Sequence, residues 1–407
     1  MKNLKVIHLS ENDKSGGSAF YANRVHKHML RNKIKSMMYV LNKDTQDKNV
    51  KKFFFKKNSN LVKKINFLSL NERNKYSFYN LGKYVINKKK QIEPLFKEKP
   101  NSIIIYNNSN FLSPRIVNYL INKNIKVFFY LMDMELITGG CHYNFNCMKF
   151  KKDCHPCPAT RLFLKNQAKK NLFFKKKNLS FEKLNFISPN KKIFSDVYKS
   201  SIFNKSKHNN YMIYLGLDLK KYKPSKKKGT KKISICFRSS LNPRKGNIFL
   251  INALNYLILK DKDIIDRIHF DIVGDSSITE FLKKKKFTYD FKGTIENENE
   301  LINFYNKNDF FLNQSIQDAG PVMVNEALAC GTPVISFRNG VSVDVIRNGY
   351  NGFLISKISS ELLAKKINEI SFNKKKKISS LVKNSRKISK NYFNIKNLTQ
   401  ELIKLCQ

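Results

Sequence analysis

The chain has 407 residues, which is long enough for two domains with separate hydrophobic cores. It carries 78 Lys and Arg against 30 Asp and Glu, a formal net charge of +48, and it has no Trp. No uncharged apolar run approaches the roughly 20 residues that cross a bilayer, and the N-terminus leads into a strand pattern without the apolar core of a signal peptide. These features argue against a membrane-spanning protein, and we expect a cytoplasmic one.

The large positive charge is typical of a protein that binds nucleic acid or an anionic membrane. The basic residues are nevertheless dispersed in short runs such as 175–177 and 283–286, in a chain that is also rich in Asn, Ile and Phe. The amino-acid bias of an AT-rich coding sequence explains this dispersion and makes nucleic acid an unlikely partner. Attraction to an anionic membrane surface remains a consequence of the charge.

The N-terminal half alternates strand patterns with helical ones, which predicts a doubly wound parallel domain over residues 1–205. The predicted strands are residues 5–10, 36–41, 103–106 and 127–132. Gly16 and Gly17 follow the first strand and precede a predicted helix from Phe20 to Arg31. Glycines in such a loop let the backbone approach a phosphate group, although a plain turn is the alternative.

A cysteine-rich loop, residues 139–158, follows the fourth strand and Asp133. Cys141, Cys147, Cys154 and Cys157 are separated by five, six and two residues, and His142 lies among them. Four thiolates can bind zinc tetrahedrally, and the Cys-x2-Cys end suits such a site. Two disulfides are disfavoured in a cytosolic protein, whereas ordinary reduced thiols and structural zinc both stay open.

A short polar stretch near residues 204–212 separates this half from a second predicted doubly wound domain over residues 206–390. Its strand Ile233–Phe237 is followed by Arg238 and then by Lys245-Gly246 before a helical pattern. An Arg and a Lys that flank the start of a helix can converge on one diphosphate, and the adjacent Arg244 could substitute. In so basic a chain this pair is weak evidence by itself.

The most informative segment is residues 309–337, whose pattern predicts a strand, a loop, a helix and a second strand. The helix should begin near Pro321, because proline suits the first turn, and a Gly-Thr-Pro turn ends it before the next strand. Its free N–H groups, at residues 319–323, would attract an anion such as a diphosphate. Glu326 can accept hydrogen bonds from ribose hydroxyls, and Asp318 can reach a second polyol. The alternative is that Asp318 caps the helix and Glu326 is a solvated helix residue.

The Asp318-x7-Glu326 spacing, together with the Arg238 and Lys245-Gly246 loop, resembles the signature of retaining glycosyltransferases of family 4. The resemblance implies the α/β GT-B fold, in which two doubly wound Rossmann-like domains face each other across a cleft. It also implies that the last helix, within residues 391–407, crosses back to the first domain. By resemblance Glu326 holds the ribose of a nucleotide-sugar donor, and the catalytic residues are Asp318 at the donor sugar and Arg238 and Lys245 at the diphosphate. The backbone of the donor site is Ala319, Gly320, Pro321 and Val322, and catalysis requires no metal.

The segment from Asp133 to His142 resembles a subgroup that builds bacterial surface polysaccharides and that reads His-Asp-Met-Trp before Thr-Gly-Gly-Cys-His. In this chain Met132 stands where the subgroup has His, and Glu135 stands where it has Trp. The resemblance implies that Gly16, Gly17, Asp133 and His142 contact substrate. It further implies a glycan or lipid-linked acceptor, and the positive charge predicts a peripheral position on the inner face of the plasma membrane.

The predicted function is therefore retaining transfer of a hexose from a UDP- or GDP-sugar to such an acceptor. The missing His at Met132 favours an alternative, a catalytically degenerate protein on the same scaffold that binds membrane or nucleic acid through its charge. An epimerase or phosphorylase with the GT-B fold is a third alternative, which the Gly-Gly-Cys-His loop disfavours.

Overall fold

A computed structural model describes residues 4–53, 78, 89–107, 109, 112–161, 165–203, 209–225, 231–372 and 375–407. The chain divides into two compact units. The first comprises Met1–Tyr214 and Lys396–Gln407, and the second comprises Leu215–Ile395. The domain boundary predicted between residues 205 and 206 falls within residues 204–208, which lie outside the described residues, so that boundary stays a prediction.

The first unit is built on a seven-stranded parallel sheet with the strand order β3-β2-β1-β4-β5-β6-β7. The strands are β1 (Lys5–Asn12), β2 (Lys35–Asn42), β3 (Val50–Lys52), β4 (Ser102–Ile105), β5 (Lys126–Tyr130), β6 (Asn185–Ser188) and β7 (Asn209–Met212). The central strands are apolar and buried along their length, as all four residues of β4 show. Continuous burial of this kind is typical of a parallel sheet covered on both faces.

Helices connect these strands. They are α1 (Gly17–Arg31), α2 (Glu93–Lys97), α3 (Pro114–Ile121), α4 (Gln167–Asn178) and α5 (Lys191–Lys199), with short 3-10 turns at Lys89–Gln91, Lys149–Lys151 and Phe181–Lys183. The start of α3 illustrates the local coding, because Ser113 precedes Pro114 and its hydroxyl accepts the N–H of Ile116 at 3.3 Å. A capping serine followed by proline at the first helical position is a common helix start.

The second unit has a six-stranded parallel sheet with the strand order β10-β9-β8-β11-β12-β13. Its strands are β8 (Ile233–Ser239), β9 (Ile268–Gly274), β10 (Thr288–Phe291), β11 (Phe310–Asn313), β12 (Val334–Phe337) and β13 (Gly352–Ile355). Its helices are α6 (Asn247–Lys260), α7 (Ile264–Arg267), α8 (Thr279–Lys284), α9 (Glu298–Asn306), α10 (Val322–Ala329), α11 (Ser342–Val345), α12 (Ser360–Ser371) and α13 (Lys375–Tyr392), with a 3-10 turn at Pro243–Lys245.

One hydrophobic core fills the second unit. Ile235, Phe270 and Leu312 from three neighbouring strands pack in it with Leu254 of α6 and Ile367 of α12. The prediction of two doubly wound parallel domains is therefore confirmed for the described residues.

The last helix, α14 (Ile395–Cys406), belongs to the first unit from Lys396 onward. The hydroxyl of Ser102 on β4 donates to the backbone oxygen of Cys406 at 2.7 Å, and both groups are buried. Within the described residues, no helix combines the length and the apolar character that a membrane span needs.

Two buried histidines lie side by side in the first unit. His8 on β1 and His26 on α1 are both fully buried, with ring centroids 5.8 Å apart. Their Nδ1 atoms lie 3.0 Å from the hydroxyl of Tyr106 and 2.7 Å from that of Ser36, respectively. Burial lowers the pKa of His8 well below its usual value, and it lowers the pKa of His26 to about 4. Both rings are therefore neutral at pH 7.

These histidines predict acid sensitivity of the fold. A histidine in the unfolded chain titrates near 6.5, so the stability from a buried neutral ring is complete above about pH 6.5 and is lost as the pH falls toward 4. We expect the free energy of unfolding to decrease between pH 7 and pH 5, and to decrease less in His26→Asn. The measurement is urea unfolding at each pH, with His155→Asn, which changes an exposed histidine, as the control. An equal pH dependence in His26→Asn and the parent protein would contradict this account.

Candidate functional site

The order of the second sheet reverses between β8 and β11, which are neighbours although α6 to α9 separate them in the chain. Ligands of open α/β sheets bind outside the carboxyl ends of the strands at such a reversal. Arg238 lies near the carboxyl end of β8, Lys245 lies in the turn that follows this strand, and Asp318 follows β11. The topology therefore brings two of the predicted motifs to one edge of one sheet.

Gly246 allows the two loops to approach each other closely. Its φ of +76° lies in the left-handed region, and a Cβ atom there would come within 2.0 Å of the backbone oxygen of Gln314. The side chain of Gln314 in turn donates to the backbone oxygen of Arg238 at 2.9 Å. The glycine after Lys245 is thus needed for loop packing, a role that the sequence did not reveal.

Asp318 forms ion pairs with two cations of the Pro243–Lys245 turn. Its Oδ2 atom lies 3.0 Å from Nη1 of Arg244 and 2.6 Å from Nζ of Lys245. Nη1 of Arg244 also donates to the backbone oxygen of Gln317 at 2.8 Å. The sequence interpretation chose Arg238 and Lys245 and treated Arg244 as a substitute. The structure instead places Arg244 and Lys245 on Asp318, and the side chain of Arg238 is exposed.

This group carries an excess of positive charge. Burial by itself raises the pKa of Asp318, but the charges of Lys245 and Arg244 outweigh it and hold that pKa well below its usual value. Burial lowers the pKa of Lys245, and the neighbouring charges of Arg244 and Arg238 lower it further. Arg238, Arg244 and Lys245 together with Asp318 carry a net charge of +2, which suits a dianionic diphosphate.

The helix after this loop begins at Val322, one residue after Pro321, where the sequence pattern placed its start. Pro321 occupies the N-cap position without a side-chain hydrogen bond, and the first turn contains no acidic residue. The alternative that Asp318 caps this helix is therefore wrong. An uncapped helix start is suited to an anion, so the predicted role of residues 319–322 stays open.

Glu326 is buried and only 2% exposed. Its Oε2 atom accepts the hydroxyl of Tyr305 at 3.0 Å, and the hydroxyl of Tyr222 lies 3.5 Å from Oε1. The alternative of a solvated helix residue is therefore wrong. Because each carboxylate oxygen can accept more than one hydrogen bond, ribose binding by Glu326 stays a prediction. No sequence pattern connects Tyr222 and Tyr305 to Glu326.

In the first unit, Asp133 and His142, which the resemblance places at the substrate, form a hydrogen-bonded pair. Oδ2 of Asp133 lies 2.6 Å from Nδ1 of His142, and Nε2 of that ring lies 3.3 Å from Oγ of Ser109. Burial lowers the pKa of His142, but Asp133 outweighs this effect and raises it. Ser109 follows β4, and sequence reasoning missed it because a single serine gives no signal.

Gly16 is the N-cap of α1 and Gly17 is its first residue, beside the reversal of the first sheet between β1 and β4. Gly16 has a φ of +90°, and a Cβ atom on either glycine would meet no heavy atom within 4 Å. The two glycines thus border open space, which is compatible with the predicted substrate contact. That contact stays a prediction.

The departure at Glu135 from the subgroup pattern has a structural partner. Glu135 is buried, and its Oε1 atom lies 2.6 Å from Nζ of Lys175 on α4, which is also buried. The same ammonium group donates to the backbone oxygens of Glu135 and of Thr138, the latter at 3.0 Å. Lys175 therefore holds the segment between Asp133 and His142 in place through these contacts. It belongs to the run 175–177, one of the basic runs that amino-acid bias explains.

The four cysteines of the loop are free thiols, so the disulfide alternative is not seen. The thiols of Cys141 and Cys157 are hydrogen-bonded to each other, which lowers the pKa of Cys157 to about 7. Cys154 Sγ accepts the N–H of Gly139 at 3.3 Å. In the described part of the chain the four sulfur atoms do not include three that lie within 4.8 Å of one another. They are gathered more loosely than around a zinc ion, and zinc binding stays a prediction.

The described residues do contain such a compact group of three ligand atoms, on His269, Asp271 and Asp290. The ammonium group of Lys307 lies 2.5 Å from Asp271 and 3.5 Å from Asp290. Because Lys307 pairs with both carboxylates, the group is an ion-pair cluster of the protein.

If zinc staples the loop, protein purified from zinc-containing medium should hold about one zinc ion per chain. Cys154→Ser should lose the metal and melt at a lower temperature, because the loop has little regular structure to hold it. Cys236→Ser, which changes a buried thiol in β8, should keep the metal. Elemental analysis and thermal melting give both readouts. A folded parent protein that contains no zinc and does not respond to added zinc would contradict the prediction.

Residues 218–388 match the family model described as glycosyl transferases group 1. An uncharacterized glycosyltransferase of Methanocaldococcus jannaschii is 27% identical over 162 residues, which cover 38% of this chain and 43% of that protein. A second relative, named UDP-Gal:alpha-D-GlcNAc-diphosphoundecaprenol alpha-1,3-galactosyltransferase, from Escherichia coli, is 27% identical over 158 residues, 34% of this chain and 39% of that protein. Both alignments therefore cover less than half of the curated relative.

The structural likeness extends over the whole chain. The Anabaena protein HepE, solved in complex with UDP and glucose, superposes with a TM-score of 0.64 at 14% identity and covers 99% of both chains. Residues 218–388 are therefore similar to the group 1 glycosyl transferases, and the two parallel α/β units give the chain the GT-B fold.

Proposed function

We propose that the protein is a retaining glycosyltransferase that moves a hexose from a nucleotide-sugar donor to a glycan or lipid-linked acceptor. The observation that carries this proposal is the cluster of Arg244, Lys245 and Asp318 at the reversal of the second sheet. Support comes from the matched family domain and from relatives whose names include UDP-sugars or a diphosphoundecaprenol acceptor.

In this proposal the donor binds to the second unit. The diphosphate lies against Arg238, Lys245 and the first turn of α10, and Glu326 holds the ribose. Negative charge builds on the diphosphate as the bond to the anomeric carbon breaks. Positive side chains and helix N–H groups that are already in place stabilise this charge without reorganising, which is the main source of rate acceleration in such sites. The acceptor hydroxyl attacks the face that the nucleotide leaves and gives its proton to the departing diphosphate oxygen, and the anomeric configuration is retained.

The acceptor binds to the first unit, where Asp133 and His142 are the polar pair suited to sugar hydroxyls. The carboxylate of Asp133 fixes the imidazole through Nδ1, and Ser109 lies at Nε2. This pair compensates for the absent histidine at Met132. The net charge of +48 would hold the protein on an anionic membrane surface that carries a lipid-linked acceptor.

The direct test is calorimetric binding of UDP, GDP and their hexose conjugates to the purified protein. We expect one nucleotide series to bind and expect Lys245→Ala to lose it, because a partly buried phosphate-binding charge is removed. Lys283→Ala, which removes an exposed charge from the same unit, is the matched control. In a transfer assay, Lys245→Ala should lower kcat about 100-fold or more, as is usual for loss of a group that stabilises transition-state charge.

The outcome of these measurements also separates the alternatives. Tight binding of one donor, with transfer and with the same anomer in product and donor by NMR, supports the proposal. A folded protein that binds none of these nucleotides, but sediments with anionic vesicles or with DNA, would replace it by the degenerate binding protein.

A further inference from the structure

Asp318 forms ion pairs with the cations that would bind a diphosphate. Arg244 Nη1 and Lys245 Nζ both bind the same carboxylate oxygen, Oδ2, at 3.0 and 2.6 Å. The Asp318 side chain is 12% exposed, so the contact is shielded from water. A phosphate oxygen takes the same charge-assisted hydrogen bonds from the same groups. The carboxylate thus stands where an anion would bind.

Arg244 is held in place by a second bond that does not involve charge pairing. Its Nη1 atom donates to the backbone oxygen of Gln317, and its backbone N–H donates to Oδ1 of Asn242 at 3.0 Å. Its guanidinium would therefore stay at the loop when Asp318 moves away. The fork of an arginine also suits bidentate binding of a phosphate.

We propose that Asp318 is the internal counter-ion of the diphosphate-binding cations, that Arg244 is one of those cations, and that a bound diphosphate displaces Asp318 from them. The displaced carboxylate loses its partners and repels the diphosphate, unless the hydroxyls of a donor hexose bind to it. The site then favours a nucleoside diphosphate hexose over the bare nucleoside diphosphate, and Asp318 assists release of the nucleotide product. This inference rests on the proposed function and deepens its account of the donor site.

The opposite role for Asp318 makes an opposite prediction. If the carboxylate only orients Arg244 and Lys245, its removal disorders them and weakens the binding of every diphosphate. If it competes with the diphosphate, its removal strengthens that binding. The sign of the change in affinity therefore decides between the two roles.

The experiment is calorimetric titration of the purified protein with inorganic pyrophosphate. Asp318→Asn keeps the shape of the side chain and removes the charge, and we expect it to bind pyrophosphate at least about tenfold more tightly than the parent, because a like charge within a few ångström is removed. Arg244→Met should bind it at least about tenfold more weakly, as expected for loss of a charge-assisted hydrogen bond. Equal or weaker binding by Asp318→Asn would overturn the counter-ion role, and unchanged binding by Arg244→Met would overturn the role of Arg244.

The matched control is Asp309→Asn, which removes a carboxylate from the opposite end of β11. Asp309 accepts from the N–H and the hydroxyl of Ser234, both at 3.0 Å, and precedes the strand that Asp318 follows. We expect its affinity for pyrophosphate to match that of the parent. A gain equal to that of Asp318→Asn would show that overall charge alone is responsible, and it would overturn the proposal. Thermal melting verifies that each variant is folded.

A second readout tests discrimination between substrate and product. The ratio of the affinity for UDP-hexose to that for UDP, or for GDP-hexose to that for GDP, should be lower in Asp318→Asn than in the parent protein. An unchanged ratio would overturn the role of Asp318 in discrimination. The pyrophosphate measurement needs neither nucleotide nor acceptor. If no nucleotide binds but Asp318→Asn binds pyrophosphate more tightly, the proposed function is wrong and the counter-ion role stands. If a nucleotide binds but Asp318→Asn does not bind pyrophosphate more tightly, the proposed function stands and the counter-ion role is wrong.

Discussion

Parallel pairing of β8 with β11 is the constraint on which the candidate site depends. The register pairs Phe237 with Leu312, so the loops after the two strands begin at the same edge of the sheet. The close approach at Gly246 then brings the Pro243–Lys245 turn to Asp318. A larger residue at position 246 would clash with the backbone of Gln314. Backbone geometry thus places the cations of this turn beside Asp318 before any ligand binds.

In the first unit the main constraint is an irregular segment, because residues 133–160 contain little regular structure. A long irregular segment is costly in conformational entropy and needs specific contacts to hold it. The buried pair of Lys175 and Glu135 supplies one, and the pair of His142 and Asp133 supplies another. Removing one member of a buried ion pair leaves the other uncompensated, so these residues are more constrained than a sequence pattern indicates. This chain lacks the tryptophan and histidine of the subgroup that the segment resembles, and it has these local contacts instead.

Burial and ion pairing distinguish two lysines from the many others in the chain. The run 175–177 and the Lys245 loop look alike in composition, yet Lys175 is 1% exposed and Lys245 lies on a carboxylate. The remaining surface charge is screened by salt, whereas a partly buried pair is screened much less. Salt therefore weakens the dispersed surface charge more than it weakens the ion pairs of Lys175 and Lys245.

The sequence by itself determined the alternation of strands and helices and the start of α10 beside Pro321. These features depend on local hydrophobic periodicity and proline geometry. Tertiary structure alone decided that Arg244 binds Asp318, that Tyr222 and Tyr305 hold Glu326, that Lys175 supports Glu135 and that Ser109 lies at His142. Each of these contacts joins residues that are distant in the chain, and pairing of strands, not local pattern, brings them together. The physical reason is that a sequence encodes local conformation through neighbouring residues, while sheet register and burial fix which distant side chains meet.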